Sequence, residues 1–181
     1  MSLFYYKTLS VLFDAFLQIC LLRRRPQDLP ASSALLSLVV VCYGALSTAL
    51  LLPAQNAGFA LLTGLIEMLM LLLITGLFLY LRSVSERWLQ TATALAGTGM
   101  VFSLLALPLF YWRLFFPIGP TAQTLIGLLV TALVLWNVAV MTYILKHALS
   151  SSWMLGVLGS ITYIALISYV LQLLLPVESS V

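Results

Sequence analysis

The chain is built around long apolar runs, and the clearest of these occupies residues 58–81, with Glu67 as its one ionisable residue. About 20 apolar residues cross a hydrocarbon core of roughly 30 Å, so this run is long enough to span a bilayer. Because lipid offers no water to backbone groups, a spanning segment must be helical. The same reasoning predicts transmembrane helices at residues 31–52, 58–81, 88–112, 123–145 and 153–175.

The segment before these runs, residues 1–22, is apolar but carries a polar stripe. Lys7, Ser10, Asp14 and Gln18 recur in it at helical spacing. A charge that faces lipid at mid-span is costly, whereas a helix lying in the interface holds such a stripe in water. We therefore predict an interfacial amphipathic helix, with a transmembrane helix as the alternative. A cleaved signal peptide is not expected, because Asp14 interrupts its apolar core.

Short polar links join the predicted helices. Residues 23–30 form a basic link that begins with three arginines, residues 113–122 form the longest link between spans, and residues 176–181 form a short tail. These links leave no room for a further domain. The predicted fold class is all-α: a polytopic membrane protein with five transmembrane helices in one bundle, preceded by the interfacial helix.

Composition agrees with this fold class and excludes several functions. Of the 181 residues, 63% are hydrophobic and 7% are charged, against roughly a quarter charged in soluble domains. The net charge of +3 comes from basic residues scattered at span ends, so no nucleic-acid partner is expected. Cys20 and Cys42 lack the spacing of metal ligands. We predict no catalytic residues, no metal and no cofactor, and hence a protein that is not an enzyme.

The positions of the basic residues also predict an orientation. Lys and Arg flanking the spans favour the cytoplasmic side of a membrane. If the N-terminus is cytoplasmic, seven of the 8 basic residues lie on that side and only Arg113 lies outside. The C-terminus is then outside.

Three polar residues inside the predicted spans are candidates for an intramembrane site. Glu67 lies roughly 13 Å from the outer end of its helix, and Thr98 lies near the same depth, so Thr98 is its predicted partner. Asn137 lies roughly 8 Å deeper and is expected to bond other helices. An ionisable group in a span suggests a proton or cation site. With no Lys, Arg or His in the predicted hydrocarbon core, we favour a protonated packing residue at Glu67.

Two further features point to contacts with lipid and with neighbouring helices. Arg23, Arg24 and Arg25 are expected to contact anionic lipid headgroups, and membrane lipids are therefore predicted partners. A series of small residues at helical spacing predicts a close-packed face on the third span: Ala92, Ala96, Gly99 and Ser103.

Three stretches carry a resemblance to a known family: the basic link at residues 22–30, LQTATALAGTG at 89–99 and LWNVAVMTYILKHAL at 135–149. With them the chain resembles a bacterial branch of the Yip-domain family, in which a cytosolic N-terminal region precedes five closely spaced helices. The resemblance implies a non-enzymatic protein of the bacterial inner membrane that partners other membrane proteins or itself and influences membrane organisation. The Asp-Leu-Tyr-Gly-Pro type motif of eukaryotic members is absent, which argues against small-GTPase binding.

Two functional hypotheses follow. The first is an interaction or scaffold protein that acts in membrane organisation. The alternative is a small transporter or channel component that uses Glu67 as a proton or cation site.

Overall fold

The computed structural model describes the backbone of residues 2–116 and 119–174 and the side chains of residues 11–116 and 119–173. The side chains of Lys7 and Ser10, Pro117 and the predicted tail at 176–181 lie outside the described residues. This part of the chain forms six helices and no strand: α1 (Ser2–Cys20), α2 (Ser33–Leu51), α3 (Ala57–Leu81), α4 (Trp88–Phe115), α5 (Pro120–Ala148) and α6 (Trp153–Leu174). Single 3₁₀ turns at Pro26–Asp28 and Ser85–Arg87 lie in two of the links.

The five helices α2 to α6 are long and apolar enough to cross a membrane, which confirms that part of the predicted fold class. Two of them start at capping residues that the sequence contains. The Ser32 side chain accepts a hydrogen bond from the Leu35 N–H (3.3 Å) at the start of α2. Asn56 accepts one from the Phe59 N–H (2.8 Å) at the start of α3. Each side chain satisfies a backbone donor that has no partner within its helix.

Within the link predicted at residues 113–122, residues 113–115 and 120–122 are helical, and this is a correction. Helix α4 continues to Phe115 and α5 already begins at Pro120, so both helices are longer than the predicted spans 88–112 and 123–145. Proline lacks a backbone N–H and has a fixed φ, which suits the first helical turn, so Pro120 starts a helix instead of extending the link. Helix α5 also continues to Ala148, beyond the predicted end at residue 145.

Helix α4 lies at the centre of the bundle and packs against α1, α2, α3 and α5. Its buried residues include Ala92, Ala96 and Ser103, in agreement with the predicted small-residue face. Small side chains let neighbouring backbones approach closely, and in lipid such packing replaces the hydrophobic effect as the source of helix association.

Helix α1 packs across α4 and α5 with one apolar face. Phe16, Ile19 and Cys20 are fully buried in it, and the Phe16 ring lies against Gly97 of α4. The Trp136 Nε1–H of α5 donates a hydrogen bond to the Cys20 carbonyl (2.9 Å). The opposite face of α1 is exposed and includes Asp14, whose carboxylate accepts a hydrogen bond from the Gln18 side chain (2.7 Å).

Three links meet at one end of the bundle. The Gln90 side chain donates hydrogen bonds to the Gln27 and Leu29 carbonyls (3.0 and 2.9 Å), and the Gln27 side chain donates to the His147 carbonyl (2.6 Å). The links that follow α1, α3 and α5 therefore share this end, which we call the three-link end. Because α2 and α4 begin at this end and α3 and α5 finish there, these four helices alternate in direction.

Candidate functional site: a polar cluster inside the bundle

Glu67 accepts a hydrogen bond from the Ser47 hydroxyl of α2. The two helices approach closely because small residues face each other where they cross. A Cβ atom added at Gly64 of α3 would lie 3.0 Å from the Gly44 carbonyl oxygen of α2. Ser47 is buried, so without this contact its hydroxyl would have to find another acceptor in an apolar surrounding. The carboxyl group of Glu67 thus joins α2 to α3.

The predicted pairing of Glu67 with Thr98 is not what the structure shows. The Thr98 hydroxyl donates to backbone carbonyls of its own helix, Ala94 (2.9 Å) and Leu95 (3.2 Å). A threonine in a helix readily bonds the carbonyl one turn back, which satisfies the hydroxyl without a second helix. The depth estimate placed Thr98 near the level of Glu67 but contained no information about which helix faces which.

Thr98 and Asn137 nevertheless line the same cavity, which has a volume of about 170 Å³ and is lined by residues of all five long helices, α2 to α6. Tyr43, Tyr163 and Ser168 also line it. Five polar side chains from four helices therefore surround one space in the part of the chain predicted to lie in hydrocarbon. A cavity of this size whose lining includes several polar side chains can hold water molecules or a small polar ligand.

A second cavity, of about 240 Å³, shares Tyr43, Gly99 and Asn137 with the first. Asn137 lines both cavities, and its amide can offer both a donor and an acceptor there. Glu67 is not among their lining residues, but its partner Ser47 follows Tyr43 by one helical turn on α2 and so lies on the same face of that helix. We call Ser47, Glu67, Tyr43, Thr98, Asn137 and Tyr163 the polar cluster.

Sequence reasoning missed Tyr43, Tyr163 and Ser47. A signal was present for the tyrosines, because the aromatic belts of membrane proteins lie at span ends, whereas these two fall near the middle of α2 and α6. A mid-span tyrosine needs a partner for its hydroxyl or access to a polar cavity. Ser47 carried no comparable signal, since serine is common on the packing faces of membrane helices.

The three arginines predicted to contact lipid headgroups follow α1 at the three-link end. Arg23 and Arg25 are exposed and Arg24 is half-buried. The Arg24 guanidinium donates to the Asp28 carbonyl (3.0 Å), and the Arg25 backbone N–H donates to the Asp28 carboxylate (3.1 Å). These bonds hold the link in a compact turn and leave its charged surface at the end of the bundle.

The described helices assign the chain to a broad class: all-helical proteins with five helices that are long and apolar enough to cross a bilayer. No family model, curated protein or solved structure matches the chain. Functional arguments therefore start from the geometry of the chain itself.

Proposed function

We propose that this chain is a non-enzymatic, Yip-like protein of the bacterial inner membrane that acts by associating with other membrane proteins, or with itself, in membrane organisation. The proposal includes a cytoplasmic N-terminus and an outside C-terminus. It is supported by the family resemblance, by the charge asymmetry of the links and above all by an unpartnered surface on α5.

The surface that carries the proposal is the outer half of α5. From residue 121 to residue 139 no side chain is buried, although the helix spans Pro120–Ala148. Thr124, Gly127 and Thr131 fall on one face of this stretch at i, i+3 and i+7. All three are exposed, and a Cβ added at Gly127 would have no heavy atom within 4 Å.

A helix face of small residues makes few van der Waals contacts with lipid chains. It makes many more with another helix, because the two backbones can approach closely. Small-xxx-small patterns such as that of Gly127 and Thr131 let two backbones approach closely within a bilayer. The hydroxyls of Thr124 and Thr131 already donate to carbonyls of their own helix (3.0 and 2.9 Å), so a partner helix would meet no unsatisfied donor. We call Thr124, Gly127 and Thr131 the α5 face.

Photo-crosslinking in native membranes tests this proposal. A crosslinking residue at Thr131 should capture a discrete membrane-protein partner or a second copy of the chain. The matched control is Leu69 of α3, which is 55% exposed but lies on no small-residue face. The crosslink from Thr131 should disappear in a Gly127→Ile variant, because the added side chain would hold a partner backbone away. Absence of a product from Thr131, or the same products from Leu69, would overturn the proposal.

A second candidate function, a small transporter or channel component, is favoured by the polar cluster. Two cavities share Tyr43, Gly99 and Asn137 in their linings. Glu67 lies in the same bundle, and an ionisable group inside a span is a candidate proton or cation site. Glu67→Gln separates the two functions, because the amide keeps an acceptor for Ser47 but cannot exchange a proton. A scaffold should complement a deletion strain with this variant. A transporter should yield a protein of normal thermal stability that fails to complement and lacks proton-dependent flux in proteoliposomes.

A further inference from the structure

A pocket of about 430 Å³ lies at the three-link end, between the link after α1, the turn before α4 and the end of α5. Its lining includes Arg25, Arg87 and Lys146, one cationic side chain from each of these elements. We propose that this pocket binds a phosphate group, presented either by the headgroup of an anionic phospholipid or as free glycerol phosphate. Of the three arginines after α1, only Arg25 belongs to this pocket.

The charge of the pocket favours an anion. The lining contains three cationic side chains and one carboxylate, that of Asp28, so these four side chains carry a net charge of two positive. The Asp28 carboxylate already accepts the Arg25 backbone N–H (3.1 Å). The His147 Nδ1 lies 2.8 Å from the Tyr143 carbonyl oxygen, and because a carbonyl oxygen only accepts, Nδ1 donates this hydrogen bond.

Arg87 is held in place by the chain itself. One guanidinium nitrogen, Nη1, donates to the Ala148 carbonyl (3.2 Å) and to the Ser150 hydroxyl (2.6 Å). The bond to Ala148 gives a hydrogen-bond donor to a backbone carbonyl at the carboxyl end of α5, where a positive charge is favourable. A guanidinium carries five N–H donors in a planar fork that matches the oxygens of a phosphate. Arg87 is thereby oriented before any ligand arrives.

Two buried polar atoms of the pocket lining have no hydrogen-bond partner in the protein: Gln27 Oε1 and Ser151 Oγ. The orientation of the Gln27 amide follows from its bond to the His147 carbonyl (2.6 Å), which requires Nε2 on that side and leaves Oε1 as an acceptor. Both residues line the pocket. A rotation of the Ser151 side chain brings its hydroxyl to a phosphate oxygen, whereas the cations of the pocket would repel an ammonium headgroup.

The position of the pocket suits a ligand from the membrane surface. The Lys146 ammonium lies 4.7 Å from the ring centroid of Trp153, which begins α6 and is 49% exposed. Tryptophan is enriched where a span meets the headgroup layer, and basic pockets between spans on the cytoplasmic side are typical headgroup sites.

The test is a binding titration on the full-length protein in neutral detergent, followed by native mass spectrometry and thermal shift. The probes are short-chain phosphatidylglycerol, short-chain phosphatidylcholine and free glycerol 3-phosphate. Arg25→Gln and Lys146→Gln should each weaken binding of the anionic probe about tenfold, and Ser151→Ala about threefold. The matched control is Arg82→Gln. Arg82 is exposed at the same end of the bundle but does not line the pocket, so this variant removes one charge outside the proposed site. We expect less than a twofold change there.

Each outcome decides the proposal. Phosphatidylglycerol binding without glycerol 3-phosphate binding identifies a lipid ligand, and the reverse identifies a soluble one; either supports the pocket if the variants respond as stated. Equal binding of phosphatidylcholine, or an equal loss in Arg82→Gln and Arg25→Gln, would show general surface charge instead and overturn it. Ser151→Ala removes only a hydroxyl and introduces no charge change, so it tests the pocket even where a charge variant proves unstable.

Discussion

At the residue scale, the hydrogen bond between Ser47 and Glu67 makes the most direct prediction. Glu67→Leu removes the acceptor of a buried hydroxyl, and we expect it to lower the free energy of unfolding by about 1–3 kcal/mol. Glu67→Gln keeps an acceptor and should cost less. Thermal unfolding in detergent measures both. In a double-mutant cycle with Ser47→Ala, the two losses should be less than additive, and simple additivity would show that the bond contributes nothing.

A second prediction at this scale concerns glycine. A Cβ at Gly97 would overlap the Phe16 ring, whereas a Cβ at Gly127 would meet no atom within 4 Å. Gly97→Ala should therefore destabilise the protein by about 1–3 kcal/mol through overpacking. Gly127→Ala should leave stability unchanged or raise it by up to about 1 kcal/mol, because alanine is the better helix former. Equal melting temperatures for the two variants would contradict the packing of α1 on α4.

At the scale of elements, the sequence predicted the polar stripe of α1 but not the helices against which α1 packs. Because Asp14 is exposed and Cys20 is buried, we expect a thiol at position 14 to react readily and the Cys20 thiol to react slowly. Burial raises the pKa of the Cys20 thiol to about 12, so at pH 8 only about one thiol in ten thousand is the reactive thiolate. A polar maleimide applied from the cytoplasmic side at that pH should label Asp14→Cys and spare Cys20, in a Cys42→Ala background.

The same labelling separates the two predicted positions of α1. Protection of Asp14→Cys from reagents on both sides would favour a transmembrane helix over an interfacial one. Rapid labelling of Cys20 at pH 8 would contradict the contact between α1 and the bundle. The rate at Cys20 should rise with pH toward the pKa of its thiol, since ionisation creates the nucleophile.

At the scale of the whole molecule, the alternation of helix direction predicts the result of reporter fusions. A reporter active only in the periplasm should work after Gln55, Pro117 and Ser179 and fail after Arg25, Ser85 and Ser150. The last three positions belong to the links that meet at the three-link end, so they must behave alike in either orientation. The fully reversed pattern would overturn the proposed cytoplasmic N-terminus, and a mixed pattern within either set would contradict the fold.

The amino-acid sequence by itself determined the number and approximate extent of the long helices. An apolar segment in lipid must satisfy its backbone internally, so a long apolar run predicts a helix. The predicted helix ends were too short at three places: residue 112 in α4 and both ends of α5, where Pro120 starts the helix and Ala148 ends it. Periodicity also assigned the packed face of α4, because residues on one face of a helix repeat with a known spacing.

Only the tertiary structure decided which faces meet. Glu67 was recognisable as a candidate from its chemistry, but its partner Ser47 lies on another helix, and depth along an axis does not specify a neighbour. The polar cluster draws its side chains from five helices, and the pocket at the three-link end gathers Arg25 and Arg87 from two links and Lys146 from the end of α5. Such contacts depend on how closely small residues let each pair of helices approach, a property of two surfaces together that no single segment of sequence contains.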